Sequence, residues 1–262
     1  MATHHRAGFS LIGMLAAIVI IVILIAITVP SLQSAMGPAG SGGGVQENQI
    51  STHADRTNLH SIFQGMFAME MDVGGHLPTP SLVSGSRDKS QDTTANLFSM
   101  LIARAGIHPS MLISENEQSF YVDVDSDYNT MSYNPSSGVY WDPGFKADLT
   151  SESNVSFAHM PLLGERFKQG WIKGGPSMMP VMGNRGPKDG VAGQESIFFG
   201  TAWGGNVLYA DGHIDFTYAY TVPTLYGGGD NLFAVESGAQ GVDGILSFTK
   251  SISDGGFELQ FD

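Results

Sequence analysis

Apolar positions follow three rhythms along this chain. The first is an unbroken block. Residues 9–29 are 21 consecutive positions without a charge, interrupted only by Ser10, Gly13 and Thr28. As a helix rising about 1.5 Å per residue, such a block covers roughly 30 Å, the hydrocarbon thickness of a bilayer. A secretory h-region is shorter, about 7–15 residues, and leads into a small-residue cut site. Here the block runs instead into Thr28-Val29-Pro30-Ser31. The pattern predicts a membrane-spanning helix over residues 9–30.

The second rhythm is helical. A glycine-rich stretch, Gly37-Pro38-Ala39-Gly40-Ser41-Gly42-Gly43-Gly44, reads as a flexible linker over residues 31–45. Beyond it Leu59, Ile62, Phe63, Met66, Phe67 and Glu70 recur at spacings of three and four, so residues 46–71 are expected as an amphipathic helix. Gly74, Gly75 and Pro78 stop it. Residues 92–105 read as a further helix with Leu97, Met100 and Leu101 inward.

The third rhythm has period two. Around Asp211-Gly212 a two-residue type I′ turn is expected, since both central positions need positive φ. Tyr209 then opposes Ile214 and Val207 opposes Phe216 on an apolar face. Leu208, Ala210, His213 and Asp215 take the other face, which makes Asp211 and His213 turn and solvent-face residues. Short strand signals recur at 119–124, 153–158, 232–235, 244–248 and 256–261, whereas 177–194 follows no rhythm. The sum is an α+β domain over 46–262, an amphipathic helix packed on an antiparallel sheet with long loop insertions.

Charge orients this plan. The chain carries a net charge of −13, and all 25 acidic residues and 11 of the 12 basic ones lie beyond the apolar block, while Arg6, His4 and His5 precede it. The positive-inside bias places the N-terminus in the cytoplasm and the large acidic domain outside. So acidic a domain repels phosphate backbones, which excludes nucleic acid as a partner. The chain has no cysteine, so disulfides and thiolate chemistry are excluded too.

The start of the block carries more than hydropathy. A short polar leader, then Gly8-Phe9-Ser10-Leu11-Ile12, then an apolar helix closed by Pro30 resembles the type IV prepilin signature, shared by the pseudopilins of type II secretion. The resemblance implies a leader over 1–8, cleavage after Gly8 by a prepilin peptidase, N-methylation of Phe9, and contact with other pilin-like subunits through the helix. Where that family carries a glutamate, this chain has Gly13. That points away from a self-assembling major subunit and leaves a minor or tip-like subunit, or an anchor that does not polymerise. Asn58 to Pro80, "NLHSIFQGMFAMEMDVGGHLPTP", and Gly200 to Phe216, "GTAWGGNVLYADGHIDF", resemble segments of the planctomycete-type "prepilin-type processing-associated H-x9-DG" proteins. Asp211 and Gly212 match the DG, and Thr201 stands where the motif has its histidine. Gly164-Glu165-Arg166 with Gly170-Trp171 resembles a further segment of the same group.

Other candidate chemistry is sparse. Asp123, Asp125, Asp127 and Asn129 have the spacing of the first ligands of an EF-hand loop, but Tyr128 replaces the required glycine and Asn134 the bidentate glutamate. The three aspartates are candidate ligands for an irregular calcium site, or an acidic turn after an edge strand in which Tyr121 and Val122 pack. No catalytic or nucleotide-binding motif is present, and no cofactor is otherwise implied. Trp141, Trp171 and Trp203 are core anchors or, alternatively, a glycan-binding surface. Two readings stand: a pilin-like structural subunit, and a membrane-anchored module that binds a cell-surface glycan or calcium. No enzyme is expected.

Overall fold

The structure, a computed structural model, describes residues 43–69, 75–190, 203–235, 245–253 and 256–262, with the backbone alone for 43–51. The chain divides into two compact units, Met1–Val45 and Gln46–Asp262. The expected leader, membrane span and most of the linker, with Gly8, Phe9 and Gly13, lie outside the described residues. Among the described residues no helix is long and apolar enough to cross a membrane.

Helix α1, Gly43–Met69, begins within the expected linker, so its last positions are helical. Leu59, Ile62, Phe63, Met66 and Met69 form its buried stripe. Burying each such side chain is worth about 1.5–3 kcal/mol. Phe67, expected on this face, is instead 39% exposed, with the Lys173 ammonium 4.0 Å from its ring centre. The buried stripe continues to Met69 and not Phe67, and the end of another helix lies beside Gly65. A Cβ at Gly65 would meet Ile107 at 3.0 Å and Ala105 at 3.1 Å, so this glycine sets how closely α1 approaches the end of that neighbour.

A short helix α2, Pro80–Val83, precedes that neighbour, α3, Thr94–Ala105. Both ends of α3 are encoded locally. The Thr93 hydroxyl accepts the Asn96 amide at 3.3 Å, and Gly106 closes the helix in the left-handed region with φ 69°. Leu97, Met100 and Leu101 face inward as their spacing requires.

A four-stranded antiparallel sheet carries the fold, in the order β3 (Phe157–His159), β4 (Pro180–Asn184), β5 (Gly205–Tyr209), β6 (Ile214–Thr217). Helix α4, Gly164–Gly170, connects β3 to β4. Three two-stranded ribbons surround the sheet: β1 (Ala147–Asp148) with β2 (Glu152–Ser153), β7 (Thr221–Thr224) with β8 (Gly227–Asn231), and β9 (Phe248–Ser253) with β10 (Gly256–Gln260). The described body is thus a mixed α+β structure with antiparallel pairing. The expected strand over 119–124 is not formed. An isolated bridge, Val122 to Ser153, stands in its place, because Ser119 and Asp123 turn the chain with side-chain bonds to nearby amides.

The β5–β6 hairpin corrects the expected register. Tyr209 and His213 flank a three-residue loop, with the Tyr209 amide donating to the His213 carbonyl and the Gly212 amide to the Tyr209 carbonyl, each at 2.9 Å. Leu208 therefore opposes Ile214, and Val207 opposes Asp215. A three-residue loop needs one positive φ, supplied by Gly212 at 92°, and the Asp211 carboxylate accepts the His213 amide at 3.1 Å. The shift of one residue puts Ile214 beside Leu208 in the core and leaves Asp215 exposed.

The tryptophans are core residues. Trp141, Trp171 and Trp203 are all buried, and each indole N–H reaches an acceptor: Asn96 Oδ1, the Pro78 carbonyl and the Arg185 carbonyl. This removes them as a glycan surface. The resembling segment at 164–171 likewise packs. The buried Arg166 pairs with Asp230 at 2.6 Å, and a Cβ at Gly170 would lie 2.4 Å from Met179 Cγ.

Candidate functional site

Asp123, Asp125 and Asp127 line an open groove of about 620 Å³. Its position follows from how the loop is fastened. Val122 is buried, the Asp123 amide donates to the Ser153 carbonyl at 3.0 Å, and the Ser153 amide donates to the Tyr121 carbonyl at 2.8 Å. Downstream, the Tyr128 hydroxyl donates to the Ser99 carbonyl of α3 at 2.7 Å, and its ring meets Phe145 edge-on. The residue that breaks the EF-hand pattern therefore pins the loop to a helix.

Further lining residues come from distant sequence. Asp142 accepts the Asn129 amide at 2.5 Å and the Gly144 amide at 2.8 Å, and Glu152 and Asn154 stand on and after β2. None of the lining residues is basic. The Asp125 carboxyl lies above its ordinary value, chiefly through partial burial and also through the nearby Asp127 and Asp142 charges. Phe120 and Tyr121 edge the groove with ring centres 3.9 Å apart, and Phe120 is 84% exposed. Carboxylates and amide oxygens beside a bare aromatic surface can hold a cation or hydrogen-bond a polyol. Among the described residues, however, no three carboxylate or imidazole groups converge as a metal-binding group.

The DG hairpin is the second candidate. Asp211 and His213 are each partly exposed and joined through Oδ1 and Nδ1 at 2.5 Å, and the His213 ring stacks on Tyr209 at 4.3 Å. The Asp211 carboxyl is held below its ordinary value: slight burial works against this, but hydrogen bonds from the His213 side chain and amide outweigh it. The loop tip presses on α1, where a Cβ at Gly212 would lie 2.7 Å from the Phe63 ring. Asp211 and Gly212 thus shape a turn and seat it on the helix. Thr201 lies outside the described residues.

A third polar cluster is one that no sequence motif marks. Asp55, on α1, is fully buried and accepts Ser114 Oγ at 2.7 Å and Asn184 Nδ2 at 2.8 Å. Nearby, the buried Arg185 bridges Glu117 and Asp262. Asp55 sits in a run of polar residues that resembles a solvent face, and its partners lie 59 and 129 positions away, so no local signal reveals it. Comparison with known proteins finds no family model, no curated protein and no solved structure that matches this chain.

Proposed function

We propose that this chain is a pilin-like subunit, a minor or accessory component of a type IV pilus or type II secretion pseudopilus. It is anchored by its first helix, with its acidic domain outside the cytoplasmic membrane. The observation that carries the reading is Gly8-Phe9-Ser10-Leu11-Ile12 placed directly on an uncharged run of bilayer length. The packing of α1 on an antiparallel sheet, with Gly212 of the DG turn against Phe63, supports it. On this reading a prepilin peptidase cuts after Gly8, Phe9 becomes the methylated N-terminus, and the apolar helix contacts lipid and other pilin-like subunits. The protein acts by packing and not by catalysis. Mass spectrometry of the protein from its host tests this: a mature chain starting at methylated Phe9 is expected. A chain starting at Met1, or beyond Val29, refutes it.

The groove favours a second reading, a tethered binding module. Its acidic wall and exposed Phe120 suit calcium or a cell-surface glycan. Melting of the protein at millimolar calcium distinguishes the two ligands. A rise in Tm that Asp125→Ala abolishes supports calcium, and an unchanged Tm removes it.

A further inference from the structure

We propose that Asp55 is a proton-operated latch, fastening the turns of α1 around Thr52 and Asp55 to the sheet when its carboxyl is neutral and loosening them when it ionises. The two halves of the described helix are held differently. From Leu59 onward α1 is docked by apolar side chains. Around Thr52 and Asp55 its anchors are polar. Asn206 Nδ2 of β5 donates to the Thr52 carbonyl at 3.1 Å, and Asn184 Nδ2 of β4 donates to Asp55 Oδ2 at 2.8 Å. Ser114 Oγ adds a third bond, to the same Oδ2, at 2.7 Å. Asn184 Oδ1 in turn accepts the Asn206 amide at 2.8 Å, so one pair of asparagines on adjacent strands grips both the helix backbone and the carboxyl.

The carboxyl itself is poorly prepared to be an anion. It is fully buried, and its Oδ1 has no hydrogen-bond partner. Among the described residues no cation answers it. On the 114–117 segment the nearby charges are Glu115 and Glu117, of the same sign. Beside β4 the guanidinium of Arg185 is committed to Glu117 and Asp262. Strand β5 carries no ionisable group before Tyr209, and on α1 itself His53 and Arg56 are exposed. A buried carboxylate with two donors and no counter-charge is costly, and the neutral acid removes most of that cost. Consistent with this geometry, burial pushes the Asp55 carboxyl up to about 6, against the pull of Ser114 and Asn184. Ionisation therefore falls in a range where modest acidification changes how firmly this part of the helix is held.

Amide hydrogen exchange of the full chain in mild detergent tests the proposal, with rates corrected for intrinsic pH dependence. Peptides covering 52–58 are expected to be about tenfold better protected at pH 5 than at pH 7.5, while those within 94–105 gain no protection. In Asp55→Asn the segment gains no protection on acidification. Equal protection in the wild type, or a gain of protection on acidification that survives Asp55→Asn, overturns the latch. Ser114→Ala gives a second test that does not depend on Asp55→Asn folding. Removing a donor to the carboxylate moves the midpoint of the protection change to higher pH, and an unmoved midpoint overturns the proposal.

Discussion

Between pH 6 and 4.5 two buried groups pull the stability of this domain in opposite directions. Asp55 is one of them. The other is His159, fully buried on β3, whose Nδ1–H donates to the Met160 carbonyl at 2.7 Å. That bond fixes the tautomer and leaves Nε2 to accept the Thr94 hydroxyl at 2.8 Å, while Thr94 Oγ1 accepts the Thr249 amide at 2.7 Å. Burial lowers the imidazole to about 4, with the Met160 bond opposing. For Asp55 the folded value is raised, from 3.8 to about 6. The folded state therefore keeps a proton that the unfolded chain has lost, and stability rises as pH falls through 6. For His159 the folded value is depressed from 6.5. The unfolded chain takes up a proton that the folded state refuses, and stability falls as pH drops below 6.5.

Each tenfold change in proton affinity between the folded and unfolded chain is worth about 1.4 kcal/mol. The full Asp55 contribution is then about 3 kcal/mol and that of His159 about 3.5 kcal/mol, with opposite signs. Over pH 6 to 4.5 each amounts to about 2 kcal/mol, so the wild type should change by less than about 1 kcal/mol. Asp55→Asn should uncover a loss of about 2 kcal/mol on that acidification, and His159→Gln a gain of similar size. Urea unfolding in mild detergent, followed by the fluorescence of the three buried tryptophans, measures all three proteins. Parallel pH slopes in the wild type and both variants would contradict this account, because they would place the pH dependence elsewhere.

The hairpin and the Arg185 cluster yield further expectations. Gly212→Ala combines a φ of 92° with a Cβ 2.7 Å from Phe63, and should destabilise by about 1–3 kcal/mol. Gly138→Ala, at φ 77° with nothing within 4 Å, should show the smaller backbone effect alone, so equal Tm losses would deny the Phe63 contact. Arg185→Met leaves the nearly buried Glu117 side chain and the part-exposed Asp262 without their shared cation, an expected loss of about 3–5 kcal/mol in urea unfolding. Despite its burial, Glu117 is held below its ordinary value by Arg185. The deficit of that variant should therefore shrink as pH falls below about 4.5, where the carboxyls protonate; a deficit independent of pH would argue against the pairing.

Elements whose own residues set their limits were legible in the sequence. Helix α3 is bounded by Thr93 and Gly106, and its inward positions follow the 3.6 period. Strand β4 was not legible, although it is the second strand of the main sheet. Pro180-Val181-Met182-Gly183-Asn184 is buried at every position, so no alternation marks it, and Gly183 has too little room for a side chain, since an added Cβ would lie 2.6 Å from the Asn206 carbonyl oxygen. The register of the DG hairpin was misread for a related reason. Asp-Gly suits a two-residue turn and the three-residue loop equally. Strand β5 is buried at all five positions, so alternation along it does not select between them. The groove was half legible. Asp123, Asp125 and Asp127 announce themselves by spacing, but Asp142 and Glu152 join them only because Val122 pairs with Ser153 and Tyr128 is tied to Ser99.

Helix α1 shows why hydrophobic periodicity underestimates what holds this domain together. Its apolar stripe begins at Leu59, yet the same helix is already attached at Thr52 and Asp55 through asparagines and a serine. Apolar packing tolerates a small slide along the sheet, because any greasy neighbour satisfies it. The polar grip does not. The Asn206 side-chain amide must meet one helix carbonyl while Asn184 meets one carboxyl, and a shift of a single residue leaves buried donors without acceptors, at about 1–3 kcal/mol each. Registry of the helix on the sheet is thus set by the half that looks solvent-facing in sequence. The same groups make that half conditional, since a grip built on one carboxyl holds differently according to its charge. The apolar half, anchored by Phe63 against Gly212, keeps the helix in place in either state.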